Sequence, residues 1–120
     1  MKTLRNSRKF RLYKQARKEF CSRYPGAFPW SGRRPPLRIG ILDDIRSRGE
    51  VGLSMTSCRR FLSIWTSSTA YLSNMSAGTP RVGLDGTACG SVSEAHQGEA
   101  RDTLARRKAR RRLTSATAKT

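Results

Sequence analysis

The basic charge of this chain is gathered at its two ends, so the nearly neutral segment between them has to supply most of any core. Residues 1–40 carry 12 basic side chains and 1 acidic one, residues 41–100 carry 5 and 6, and residues 101–120 carry 8 and 1. A net charge of +17 on 120 residues points to a polyanionic partner, because each phosphate neutralised by Lys or Arg releases condensed counterions. Nineteen of the 25 bases are Arg, whose planar guanidinium grips phosphate in a fork and stacks on bases. A charge kept only for solubility needs no such excess, since about 2–8 suffices for a small domain.

The length suits one domain. With 36% hydrophobic residues, against a usual roughly 45–50%, part of the chain is expected outside the core. No apolar run reaches the roughly 18 residues of a membrane span, and the charged N-terminus lacks the apolar region of a signal peptide. Three widely spaced cysteines, Cys21, Cys58 and Cys89, with the one histidine, His96, make neither a disulfide framework nor a zinc site. Reduced thiols and a cytoplasmic setting are the expectation, with no metal and no cofactor. A membrane surface would ask for a broad apolar helix face. Residues 7–22 offer only the thin stripe Phe10, Tyr13, Ala16 and Phe20, with Arg17 beside it, so no membrane partner is expected.

Residues 1–6 read as disordered, with Asn6 or Ser7 capping a helix that stops before Tyr24-Pro25, where proline disfavours a helical predecessor. Four prolines and two glycines make residues 25–36 a loop, with Phe28 and Trp30 expected to anchor it on the core. Leu37-Arg38-Ile39-Gly40-Ile41-Leu42 is a strand or a helix start, which periodicity alone does not decide. Asp43-Asp44-Ile45-Arg46 follows as a helical turn ended by Gly49. Ser54 caps the clearest helix, whose buried stripe is Cys58, Phe61, Leu62 and Trp65, with Met55, Arg59 and Ser63 on the open side. Ser67 or Ser68 caps a helix over Thr69–Met75, and Ala77-Gly78 closes it. Asp85-Gly86 between short apolar runs signals a hairpin holding Cys89 as a small packed residue. Ser93 then caps a helix from Glu94 to about Arg112, acidic at its start and basic at its end as the helix dipole favours. Residues 113–120 read as a disordered tail.

Convergent catalytic groups are missing. His96 has no Ser-His-acid order around it, Asp43 and Asp44 are adjacent and point apart, and there is no phosphate-binding loop of the G-x-x-x-x-G-K-[ST] type. The chain is not read as an enzyme. Binding has better candidates. Ser67 and Ser68 place a helix N-terminus, with its free N–H groups, just before Tyr71. Tyr71 offers a ring face to a base, a hydroxyl to a phosphate, or merely a packed side chain to the core. Arg38, Arg59 and Arg81 are few in a neutral centre, which singles them out.

Three blocks in order, Pro36-Leu37-Arg38-Ile39-Gly40-Ile41, Thr66-Ser67-Ser68-x-x-Tyr71-Leu72 and Arg81-Val82-Gly83-Leu84-Asp85-Gly86-x-x-Cys89-Gly90, resemble the signature blocks of the ProQ/FinO RNA-chaperone domain. Arg23-Tyr24-Pro25 before them and Glu94-Ala95-His96 after them fit the same order. The resemblance implies a compact, mostly helical α+β domain with a small β-hairpin over residues 21–112. Around it lie a basic, partly helical extension over 1–20 and the tail over 113–120. It implies binding of structured RNA: small RNAs, mRNA 3′ ends, and intrinsic-terminator hairpins with single-stranded 3′ tails. Pairing of complementary RNAs and post-transcriptional regulation go with that, and the chain is expected to be a monomer. On that pattern Arg38, Arg59, Arg60, Ser67, Ser68, Tyr71 and Arg81 bind RNA, Ser67 and Ser68 beside the 3′-end pocket. Arg8, Lys9, Arg11, Lys14, Arg17, Lys18, Arg34, Arg106, Arg107 and Arg110 add a sequence-blind grip. Met55 and Ser63 stand where some relatives carry bases, and Arg60, about 100° around the helix, replaces them only in part. The rival reading is a helix-turn-helix DNA-binding regulator over Ser54–Met75, which is short of base-reading side chains.

Overall fold

The structure, a computed structural model, describes residues 2–118, with side chains from residue 8 to residue 114. Its elements in chain order are α1 (Lys2–Arg23), α2 (Ile41–Arg48), α3 (Met55–Thr66), α4 (Thr69–Leu72), β1 (Pro80–Val82), β2 (Ala88–Ser91) and α5 (Glu94–Ala118). The fold is mostly helical with one two-stranded antiparallel sheet. Three expected caps form: Ser54 accepts from the Ser57 N–H at 3.1 Å, Ser68 from the Tyr71 N–H at 3.2 Å and Ser93 from the His96 N–H at 3.1 Å. Each satisfies a first-turn N–H that the helix itself leaves without a partner.

The core is aromatic. Phe61 on α3 lies against Phe20 of α1, ring centroids 4.6 Å apart and planes 3° from parallel. Phe28 reaches in from the loop and meets Trp65 edge-on at 5.4 Å. Cys58, Phe61, Leu62 and Trp65 are all buried, as the spacing on α3 requires. On α1 the stripe is buried at Ala16 and Phe20, half-buried at Tyr13, and 58% exposed at Phe10, so it leaves the core at its N-terminal end. The undecided segment after the loop turns out to do two things. Leu37 makes an isolated parallel bridge to Val82, and Ile41 starts α2. The hairpin pairs Pro80 with Ser91 and Val82 with Ala88, so β2 uses one residue more than β1. Gly90, at φ 81°, absorbs that bulge in a conformation few other residues adopt. The loop and the hairpin turn meet at two glycines, where a Cβ on Gly26 would lie 2.9 Å from the Gly86 Cα.

Several expectations change. Helix α1 begins at Lys2, so Asn6 and Ser7 fall inside it and residues 2–6 are helical. Helix α5 runs to Ala118, six residues past its expected end, so the tail is helical there; Lys119 and Thr120 lie outside the described residues. Helix α4 stops at Leu72, not Met75. Trp30 is 60% exposed and does not anchor the loop; Phe28, fully buried, does. Cys89 is exposed because β2 faces solvent along its whole length.

One ion pair fixes the hairpin turn to the helical body. Arg48 Nη2 lies 2.7 Å from Asp85 Oδ2, and the hydrogen bond and charge of Arg48 hold the Asp85 carboxyl below its ordinary pKa. A group with a depressed folded pKa contributes stability above its unfolded pKa and loses it as pH falls through the folded one. Asp85→Asn is therefore expected to lower the urea midpoint slightly at pH ~7. That deficit should vanish below the ordinary carboxylate range near pH ~4. A deficit constant with pH would show that the pair is not its source.

Candidate nucleic-acid interface

The backbone of Leu37 is the point where the sequence blocks meet. Tyr71 brings its hydroxyl to accept from the Leu37 N–H at 2.9 Å, and Arg81 donates through Nη1 to the Leu37 carbonyl at 2.8 Å. Arg81 Nη2 lies 2.9 Å from His96 Nδ1. Arginine cannot accept, so Nδ1 is the acceptor and the ring proton of neutral His96 sits on Nε2. Tyr71 and Arg81 are only 4% and 6% exposed. Tyr71 is packed here, which is one of the three roles open to it. Arg81, singled out as an RNA-binding candidate, likewise lies inside the fold, bracing β1 against the segment before α2 and the start of α5.

The turn between α3 and α4 is equally tied down. The Ser67 hydroxyl donates to the Ser63 carbonyl at 2.6 Å, and the Ser68 hydroxyl donates to the Trp65 carbonyl at 2.7 Å. Ser68 also accepts from Arg34 Nη1 at 3.0 Å. Arg34 lies over the Trp65 ring, its guanidinium carbon 3.7 Å from the ring centre. Asn74 Nδ2 donates to the Arg34 carbonyl at 2.9 Å, so the loop backbone is pinned there too. Both serine hydroxyls have spent their protons. What the turn offers a ligand is the half-buried Arg34 and the N–H groups of Thr69 and Ala70, that of Tyr71 being already capped by Ser68.

Arg38 is half-exposed and places Nη1 between both oxygens of Asp44, at 2.9 and 2.8 Å. That carboxylate, with the Cys89 thiol beside it, raises the Arg38 pKa above its ordinary value. The open cations are elsewhere. Arg59 and Arg60 on α3 and Arg33 on the loop are exposed and make no hydrogen bond or ion pair among the described residues. Arg60 rims a groove of about 340 Å³ between α1 and α3, opposite Lys9, while Arg33 rims a cleft of about 300 Å³ with Asn74 and Thr79. Arg8, Lys9, Arg11, Lys14, Lys18, Arg106 and Arg110 are exposed on α1 and α5, and Arg17 and Arg107 half-buried. These bases are therefore displayed on helices and do not hang on loose tails. Among the described residues no group of three or more His, Cys, Asp or Glu gathers as a metal site, and no helix is long and apolar enough to cross a membrane.

The blocks that converge on Leu37 lie within a match of residues 11–117 to the family described as ProQ: ProQ/FINO family. The chain belongs to the ProQ/FinO family. The ProQ/FinO fold is seen again in the NMR solution structure of a ProQ homolog from Legionella pneumophila. That chain is 30% identical, with a TM-score of 0.67 over 80% of this chain and 83% of the other. The ProQ/FinO family is one of RNA-binding chaperones.

Within this ProQ/FinO domain, the predicted residues divide into a buried brace (Tyr71, Arg81), bonded supports (Arg38, Ser67, Ser68) and open cations (Arg59, Arg60). Arg34, expected as one auxiliary base among many, is the residue that joins the loop to the Ser68 turn. Arg33 was not singled out, although the pair Arg33-Arg34 ahead of Pro35-Pro36 marks a place where the chain is stiff enough to aim a side chain.

Proposed function

We propose that the protein is a monomeric RNA chaperone of a reducing, cytoplasmic setting. It binds structured RNAs (small RNAs, mRNA 3′ ends, terminator hairpins with a single-stranded 3′ tail), stabilises them, and promotes pairing in post-transcriptional regulation. The observation that carries this reading is the contrast on one domain between a turn pinned by Arg34 and Ser68 and the unpaired Arg59 and Arg60 on the preceding helix. A-form RNA hides its base edges in a deep, narrow groove, so recognition runs through backbone, shape and unpaired ends. Fixed, unpaired guanidinium groups suit the duplex backbone. The turn, with Arg34 beside the N–H groups of Thr69 and Ala70, suits the end of the tail.

The DNA-regulator reading loses its recognition helix, because α4 has four residues, roughly one turn, and cannot lie along a major groove. Three ligands of equal length separate the alternatives at about 150 mM salt: a hairpin RNA with a U-tail, the same hairpin without a tail, and duplex DNA. The tailed hairpin is expected to bind roughly tenfold tighter than either of the others, a step of about 1.4 kcal/mol. Equal affinity for all three would reduce the protein to a general polyanion binder.

A further inference from the structure

Two large aromatic side chains lie open to solvent near α1, and each has a cation over its ring. Phe10 is 58% exposed, with Lys14 Nζ 4.8 Å from the ring centre. Trp30 is 60% exposed, with the Arg17 guanidinium carbon 5.1 Å from its centre. Positions 10, 14 and 17 fall at i, i+4 and i+7, on one face of a helix. The two cations therefore lie between the two rings, Phe10 at one end on the helix and Trp30 at the other on the loop.

The loop end is held from both sides. Arg17 Nη2 donates to the Trp30 carbonyl at 3.2 Å, and the Cys21 thiol, one helical turn further along α1, reaches the Pro29 carbonyl at 4.0 Å. Two residues before Trp30, Phe28 is fully buried; four residues after it, Arg34 is stacked on Trp65. The indole is thus presented at a defined position, and among the described residues no other aromatic ring covers it. An exposed ring held over arginine, on a chain of charge +17, matches one chemical class well: the flat, π-faced base of a polyanionic strand. Non-specific single-strand sites combine such stacking platforms with cations that follow the backbone.

Resting on the RNA-binding reading, we propose that Phe10, Lys14, Arg17 and Trp30 form a second binding track, which takes unpaired nucleotides of an RNA strand and is separate from the Arg59–Arg60 face. From residue 10 to residue 17 the helix advances about 10 Å, the length of three bases stacked at about 3.4 Å. The bases stack on the two rings, and Lys14 and Arg17 neutralise the phosphates between them. Trp30 is the end of the track nearer the turn, since Arg34 of the same loop is bonded to Ser68.

The test uses the full chain at about 150 mM salt and two probes, a twelve-nucleotide oligoadenylate and a hairpin RNA with a four-nucleotide U-tail. Oligoadenylate is expected to quench the tryptophan fluorescence of the wild type. Trp30→Phe should abolish that quench while keeping most of the affinity, because the second tryptophan, Trp65, is buried. Trp30→Ala and Phe10→Ala should each weaken oligoadenylate binding by about fivefold to a hundredfold, the range for loss of one stacking partner. Both should bind the short-tailed hairpin within about twofold of wild type. Wild-type oligoadenylate affinity in both alanine variants, or no quench, overturns the track while leaving hairpin binding intact. Equal wild-type affinity for the tailed hairpin, the tail-less hairpin and duplex DNA overturns the RNA reading itself. Both positions are exposed, so unchanged thermal melting is expected to exclude misfolding.

Discussion

Raising the salt concentration from 50 to 200 mM is expected to weaken binding to a hairpin RNA by about a thousandfold, if about six phosphates are neutralised. The supply of cations supports that number. Arg33, Arg59 and Arg60 are exposed and unpaired among the described residues, and seven of the bases singled out on α1 and α5 are exposed as well. Those held in ion pairs with Asp44, Asp85 and Glu19 have already been neutralised within the fold and add less. Each phosphate contact releases close to one condensed counterion, so the logarithm of the affinity falls linearly with that of the salt. The check is a series of dissociation constants across that range. A fall of less than about tenfold corresponds to two phosphates or fewer, and would mean that the basic helices do not touch the RNA.

Arg81→Ala is expected to destabilise the fold by about 2–4 kcal/mol, because it leaves a buried carbonyl without a donor and removes a packed stem. The carbonyl is that of Leu37, and His96 Nδ1 loses its donor at the same time. Domains of this size are stable by only about 5–15 kcal/mol, so such a loss is visible in any urea or thermal melt. RNA affinity should fall roughly tenfold or more even where the variant is still folded, since the Leu37 segment leads directly into Arg38 and α2. The loss is expected to act through position, because Arg81 is only 6% exposed and both its Nη groups are bonded within the fold. Arg81→Lys, which keeps the charge but not the two-pronged geometry, should recover only part of the stability. Arg81→Ala with wild-type stability would mean the buried brace is not what holds the hairpin.

The parts legible in the sequence were those in which one local rule decides. The stripe Cys58, Phe61, Leu62 and Trp65 admits a single buried face, and Ser54, Ser68 and Ser93 precede helices they are able to cap. Asp85-Gly86 marks a turn on chemistry alone. The signature blocks placed the three parts of the site in order, but not their roles. Arg81 looked open because arginine is rarely buried, and its partner Leu37 lies 44 residues away. Phe28 and Trp30 both looked like anchors because aromatic side chains in a loop usually are; Phe28 is one, while Trp30 is exposed with Arg17 bonded to its carbonyl. Cys89 looked packed, yet β2 is solvent-exposed throughout because its sheet has only two strands. In each case the missing information is a contact between elements remote in the chain, which neither periodicity nor capping encodes.

The central claim is that the folded face, and not the sum of the charges, recognises structured RNA. The most direct test compares two double variants of equal charge, Arg59→Ala with Arg60→Ala on α3 and Arg110→Ala with Arg111→Ala on α5. Both are assayed against the U-tailed hairpin at about 150 mM salt. Each removes two exposed arginines without touching the core. The α3 pair is expected to lose roughly tenfold to a hundredfold in affinity, and the α5 pair no more than about threefold. Equal losses from the two pairs would contradict the account.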